Sequence, residues 1–172
     1  MIYTKKGDRG KTSLIGRKRV LKSDKIVWAI GEIDELNSWM GLIRSQSKNQ
    51  DLDKKIRKIQ SDLFLIGSIL AGSKNNLDLT RVREMEKEID ELESILPVQT
   101  KFVYPTGSKI SSMLFVARSI TRRAERRISD LSNSKLKNIL VYINRLSDYL
   151  FILARNENFR LRFKEDFWEG KR

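Results

Sequence analysis

The sequence has no cysteine and no histidine among its 172 residues. That excludes disulfides, thiol nucleophiles, imidazole bases, zinc centres built on Cys or His, and the Glu-x-x-His pattern of ferritin-like di-iron bundles. Chemistry here has to be run by carboxylates, cations, backbone groups and the substrate itself. Only two prolines are present, so long segments run uninterrupted. No stretch approaches the roughly 20 uncharged apolar residues of a membrane span, and the early Lys, Gly and Asp residues do not read as a signal peptide. The expectation is a cytoplasmic protein without a membrane partner. The length suits a single domain, 1–172, with a core large enough to fold unaided.

What the chain has instead is apolar residues in helical period among Lys and Glu. Ile26, Ile30, Ile33, Leu36, Met40 and Ile43 follow the N-cap candidates Ser23 and Asp24. Leu52, Ile56, Ile59, Leu63, Ile66 and Leu70 form a second stripe, which begins near Asp51 and ends at Gly72. A third, with Val82, Met85, Ile89, Leu92 and Ile95, starts near Asp78 and stops at Pro97. The fourth carries Ile110, Met113, Leu114, Ala117, Ile120, Ala124, Ile128 and Leu131, and the fifth, after Ser134, carries Leu136, Ile139, Leu140, Ile143, Leu150 and Ala154. Short connections between long helices favour antiparallel neighbours. The spacing predicts an all-α five-helix bundle over about 24–156, with a loop at 1–22 and an extension at about 157–172. That extension, with Phe159, Phe163, Phe167 and Trp168 among charges, is either more helix or a tail folded over a neighbour.

The fourth helix carries Arg118, Arg122, Arg123, Glu125, Arg126 and Arg127. At about 100° per residue, Arg118, Arg122 and Glu125 share one shoulder of the apolar stripe, and Arg126 and Arg127 lie further toward solvent. Each like-charge step, 118 to 122 and 122 to 126, costs about 0.2–0.5 kcal/mol in an isolated helix. Either this is a solvated basic face, or an acidic neighbour or a bound polyanion offsets the repulsion. The fifth helix aligns Asn144, Asp148 and Arg155, which either face the same cleft or bridge helices in register. The net charge of +13 admits a basic nucleic-acid-binding module as the alternative function. The charge is spread over the chain, however, and no aromatic pair flanks a basic loop, so no nucleic-acid partner is expected. Near the N-terminus, Thr4, Lys5, Lys6, Gly7, Gly10, Lys11, Thr12 and Ser13 combine glycine, cation and hydroxyl as phosphate-binding loops do. This is not a Walker A loop, because Lys5 stands where that motif needs glycine and no βαβ unit follows.

Taken together, four stretches resemble the PduO-type ATP:corrinoid adenosyltransferases. The first is Tyr3 to Ser13, with Gly16, Val20 and Lys22. The second is Gly31 with Asp34, Glu35, Leu36 and Asn37. Phe102, Pro105, Gly107 and Ser108 lead into Ala117, Arg118 and the Arg122-Arg123-Ala124-Glu125-Arg126 core. The last is Asn144 through Phe151, with Ala154 and Arg155. The resemblance implies a homotrimeric five-helix bundle with active sites between subunits. Thr4, Lys5, Lys6, Gly7, Thr12, Ser13 and Lys22 would then hold the ATP triphosphate. Arg122, Arg123, Ala124, Glu125, Arg126 and Asn144 would complete the nucleotide site, with Arg122, Glu125 and Asn144 catalytic and Glu125 near a Mg²⁺ carried by the phosphates. Asp34 and Arg118 would pair across the subunit boundary, and Phe102 would stand beneath the corrin. The substrates implied are ATP and a reduced corrinoid, whose Co(I) a separate reductase supplies. Arg17, Tyr104, Thr106 and Phe115 depart from the family pattern. At Arg17, where glycine is usual, a positive φ would be strained.

Overall fold

The helical periods become five helices: α1 Lys25–Gln46, α2 Gln50–Leu70, α3 Thr80–Ile95, α4 Lys109–Ser129 and α5 Lys137–Arg160. The computed structural model describes Tyr3 and residues 5–170, with Arg17 described by its backbone alone; Thr4 lies outside the described residues. Local chemistry sets the ends. The Asp24 side chain accepts from Ile26 N to cap α1, and Asn49 accepts from Asp51 N and Leu52 N to cap α2. α2 closes in a Schellman turn in which Gly72 N donates to Ile69 O and Ser73 N to Ser68 O, with Gly72 at φ 103°.

Two results differ from the expectation of helix and loop alone. The N-terminal segment forms an antiparallel hairpin, β1 Lys11–Ser13 against β2 Arg19–Leu21, with Thr12 opposite Val20. Hairpin pairing satisfies the backbone there, a signal that three-residue strands are too short to announce. The fifth helix also runs past the expected boundary to Arg160, because Glu157 and Asn158 are buried and bonded. The chain then turns and packs back on its own 102–104 loop.

The helices are adjacent in the order α2, α1, α4, α5, α3, around a core that includes Leu36, Met40, Ile56, Leu63, Leu114, Ile143 and Leu150. The ring closes between α2 and α3 through polar contacts. Lys55 pairs with Glu88, and Arg81 with Asp62 at 3.3 Å. From α5, Tyr149 donates to Glu88 at 2.5 Å and Tyr142 to Asp62 at 3.0 Å. Burial, and then the adjacent carboxylate, push both phenols above their usual pKa, so they stay protonated donors. Burial alone would raise the Glu88 carboxyl, but bonds from Lys55 and Tyr149 outweigh it and hold it below its ordinary 4.5. A depressed carboxylate contributes stability that is present above the unfolded pKa and lost as pH falls through the folded one. Urea melts of wild type should therefore weaken as pH drops below about 4.5, and Glu88→Gln should be less stable at neutral pH with a flatter dependence across that window.

Candidate active site

α4 and α5 lie antiparallel, and their contact assembles the polar row. Asn144 Nδ2 donates to Glu125 Oε1 at 2.9 Å, and seven residues down α4 the Arg118 guanidinium sits 5.4 Å from the Phe151 ring centre. Ala117 and Ala124 on α4, and Ser147 and Ala154 on α5, are buried small residues that permit close approach. Arg122 lies between these two contacts, exposed, with no ion pair among the described residues. Arg118 Nε is buried without a hydrogen-bond partner. Burial first, and the Arg122 charge second, hold its pKa below the usual guanidinium value, with Asp148 opposing them. A buried guanidinium nitrogen without a partner is costly, and an added acceptor, water included, would relieve it. Asp34 on α1 is exposed and has no ion pair among the described residues.

Arg123 has a different setting. Its Nε bonds Glu32 at 2.5 Å and its Nη2 bonds Glu35, so this arginine ties α4 to α1 and faces away from Asn144. Arg126 is exposed, and Ala124 is fully buried, where it contributes packing and backbone. On α5 the aligned polar residues divide. Asn144 meets Glu125, Asp148 pairs with Arg145 at 3.1 Å, and Arg155 is a bridge, donating to Glu165 at 2.6 and 3.0 Å and to Pro97 O at 2.8 Å.

In the N-terminal segment the Lys22 ammonium lies against Gly7, Lys22 N donates to Gly10 O, and Arg19 Nη2 donates to Lys6 O at 2.8 Å. Thr12 and Ser13 are on β1. Positive φ falls on Gly16 at 79°, within the short Ile15–Arg17 turn that Arg17 ends. The hairpin is tied to α2 by Ile15 N to Ala71 O. Among the described residues no hydrogen bond or ion pair links segment 5–22 to Arg122, Glu125, Arg126 or Asn144. Among the described residues the two halves of the expected nucleotide site are therefore not bonded to one another.

Beyond Arg118 and Asp148, a cleft of about 410 Å³ is lined also by Phe151, Ile89 and Phe102. Phe102 is 73% exposed on a loop held from two sides. Trp168 N donates to Phe102 O and Tyr104 N to Asp166 O, while Asn158 accepts from Ser108 N and donates to Thr106 O, both at 2.9 Å. Thr106 thus contributes a backbone acceptor. Phe115 is buried edge-on against Phe151 at 5.9 Å. Sequence reasoning missed Asn158, Glu165 and Trp168. The only available signal was an aromatic-rich tail.

The comparisons decide the family. The cobalamin adenosyltransferase family model matches residues 2–157. The chain belongs to the cobalamin adenosyltransferase family. It is 41% identical to a corrinoid adenosyltransferase of Bacillus subtilis, over 92% of this chain and 87% of that one. With the corrinoid adenosyltransferase of Homo sapiens it shares 39% identity over 90% of this chain and 67% of that one. Among solved structures it resembles a Phe-to-His variant of the PduO-type ATP:corrinoid adenosyltransferase from Lactobacillus reuteri, complexed with cobalamin and ATP. That match has a TM-score of 0.95 and 37% identity, covering 100% of this chain and 98% of that one. Within this family member no described group of three or more acidic residues forms a cage for a metal ion, and none of its described helices is long and apolar enough to cross a membrane.

Gly107, at φ 120°, stands where a Cβ would overlap the Asn158 side-chain amide. Gly107→Ala should lower stability by about 2–4 kcal/mol, combining a strained backbone with displaced hydrogen bonds. Phe102→Ala, on an exposed ring, should stay within about 0.5 kcal/mol. Thermal melting of both variants separates the support of the loop from its exposed ring.

Proposed function

We propose that this chain transfers the 5′-deoxyadenosyl group of ATP to the Co(I) of a reduced corrinoid, at sites shared between adjacent copies of a homotrimer in the cytoplasm. The observation that carries the reading is the incomplete α4 row. Arg118 Nε is buried without an acceptor, Asp34 is exposed elsewhere, and a neighbouring copy that brings Asp34 to Arg118 would neutralise the charge. The same apposition would bring Lys5, Lys6, Gly7, Thr12, Ser13 and Lys22, together with Thr4, to the triphosphate held by Arg122, Glu125, Arg126 and Asn144. Arg123 and Ala124 would support that helix from behind, Arg123 through its α1 carboxylates.

In the reaction, the Co(I) electron pair attacks C5′ of ATP, a Co–C bond forms, the C5′–O bond breaks and triphosphate leaves. The nucleophile belongs to the substrate, so a chain without Cys or His can serve. The protein aligns the two partners for in-line displacement and stabilises the developing charge on the leaving group with Arg122, Arg126 and the lysines. Asn144 orients Glu125 through the 2.9 Å bond. Mg²⁺ usually takes one or two carboxylates plus phosphate oxygens. Glu125 fits that role, since one oxygen accepts from Asn144 and the other has no hydrogen-bond partner among the described residues. When bound with ATP, the ion would neutralise triphosphate charge. Phe102 would lie under the corrin as an apolar lower face that keeps an axial ligand away, which eases reduction of Co(II) by a separate reductase.

Two experiments test this. With chemically reduced cobalamin, ATP and Mg²⁺ under anaerobic conditions, absorbance should show loss of the Co(I) band and a light-sensitive product. Arg122→Ala should keep its fold and assembly while turnover falls by about 10²–10³; unchanged turnover would remove Arg122 from the site. In sedimentation, wild type should run as a trimer, Asp34→Arg should dissociate it, and the exchange Asp34→Arg with Arg118→Asp should restore it. A wild-type monomer would reject the shared site.

A further inference from the structure

On the side of the return segment away from the Phe102 cleft lies a second concavity, of about 250 Å³, that no role above uses. Phe159, Phe163 and Phe167 wall it together with Leu96 and Pro97. Two of these rings are half-exposed, Phe159 at 50% and Phe163 at 49%, which is unusual for aromatics gathered around one hollow. Its floor is rigid: Arg155 is 4% exposed and is held by both oxygens of Glu165 and by Pro97 O. Lys164 stands at the rim and makes no ion pair among the described residues.

The turn that creates this hollow is strained. α5 ends in a Schellman motif, Arg162 N to Phe159 O at 3.0 Å and Phe163 N to Asn158 O at 2.8 Å, and the left-handed position that usually takes glycine is Arg162, at φ 58°. Strain of this kind persists where the surroundings over-determine it. Phe163 follows directly, its N bonded to Asn158 O and its ring lining the cavity. The chain then pairs with the Phe102 loop through the bridge between Val103 and Phe167. One strand of that bridge presents Phe102 to the cleft near Arg118, and the other presents Phe167 to this cavity. The two concavities therefore share a wall.

We infer that this cavity receives the aromatic base of the corrinoid's lower nucleotide loop, with the loop's phosphodiester against Lys164. The inference rests on the adenosyltransferase reading. In that reading Phe102 occupies the lower face of the corrin, so the base that would coordinate cobalt from below is displaced yet stays tethered to the ring. A displaced, tethered, flat heterocycle next to an anionic linkage needs an apolar aromatic slot with a cation at its mouth. About 250 Å³ is too small for a corrin and suits a bicyclic base, just below the range of about 300–1,000 Å³ for drug-sized ligands. Stacking on Phe163 and Phe159 is sequence-tolerant recognition of a π face.

The test compares cobalamin with cobinamide, which has the same corrin but lacks the nucleotide loop, in anaerobic steady-state assays of the full chain. Phe163→Ala should lower the ratio of kcat/KM for cobalamin to that for cobinamide by about tenfold, mainly through KM for cobalamin. Lys164→Ala should lower the same ratio by a smaller factor. Because both substrates are read on one preparation, partial misfolding cancels in the ratio, and Phe163→Leu, which keeps apolar volume but removes the ring, should behave as Phe163→Ala does. A ratio equal to wild type in all three variants overturns the inference while leaving the adenosyltransferase reading in place. A wild-type protein that adenosylates neither corrinoid overturns both.

Discussion

Everything at the candidate site depends on the close antiparallel contact of α4 with α5. Small buried residues at Ala117, Ala124, Ser147 and Ala154 let the two backbones approach, and the polar residues on their common edge then fall opposite one another. Glu125 meets Asn144, Arg118 meets Phe151, and Arg122 is left open between them. A bulkier residue at Ala124 would separate the helices where the Glu125–Asn144 bond needs them closest.

The electrostatics follow from that contact. Five arginines and Glu125 occupy just under three turns of α4, and the arginines would repel if all were alike, but the fold assigns them different surroundings. Arg123 is neutralised by two α1 carboxylates, Arg127 stacks over Trp28 at 5.3 Å, and Glu125 is held by an amide. Arg118, Arg122 and Arg126 make no ion pair among the described residues, Asp148 being the acid near Arg118. Burying a guanidinium nitrogen without a partner is costly, which makes Arg118 the point on this edge where an added acceptor would matter most.

The return segment ties the opposite end of the site to α5. Arg155 anchors Glu165, Asn158 brackets Gly107, and two backbone bonds join residues 166 and 168 to the Phe102 loop. An exposed aromatic ring thereby stands on a loop fixed by backbone bonds on both sides.

Much of the fold was legible because burial imposes period. The stripes through Leu52 to Leu70 and Ile110 to Ile128 marked α2 and α4, Asp24 and Gly72 marked helix ends, and the motifs around Glu125 and Asn144 marked residues that the fold brings together. A positive φ at position 17 would strain an arginine, and the positive φ of that turn is on Gly16. Residues 11–21 were read as loop because strands of three residues have too few alternations to register. Arg123 was grouped with its neighbours because angular position on a wheel says nothing of the acids on α1, and the start of the extension is helix, the first of its two alternatives, because Glu157 and Asn158 are polar yet buried. The sequence by itself determined which faces are apolar, where helices cap and which residue types are available for chemistry, since these follow from local propensity and period. Only the tertiary structure decided which arginines are neutralised and which remain open, and that the tail supports Phe102, because those outcomes depend on partners far away along the chain.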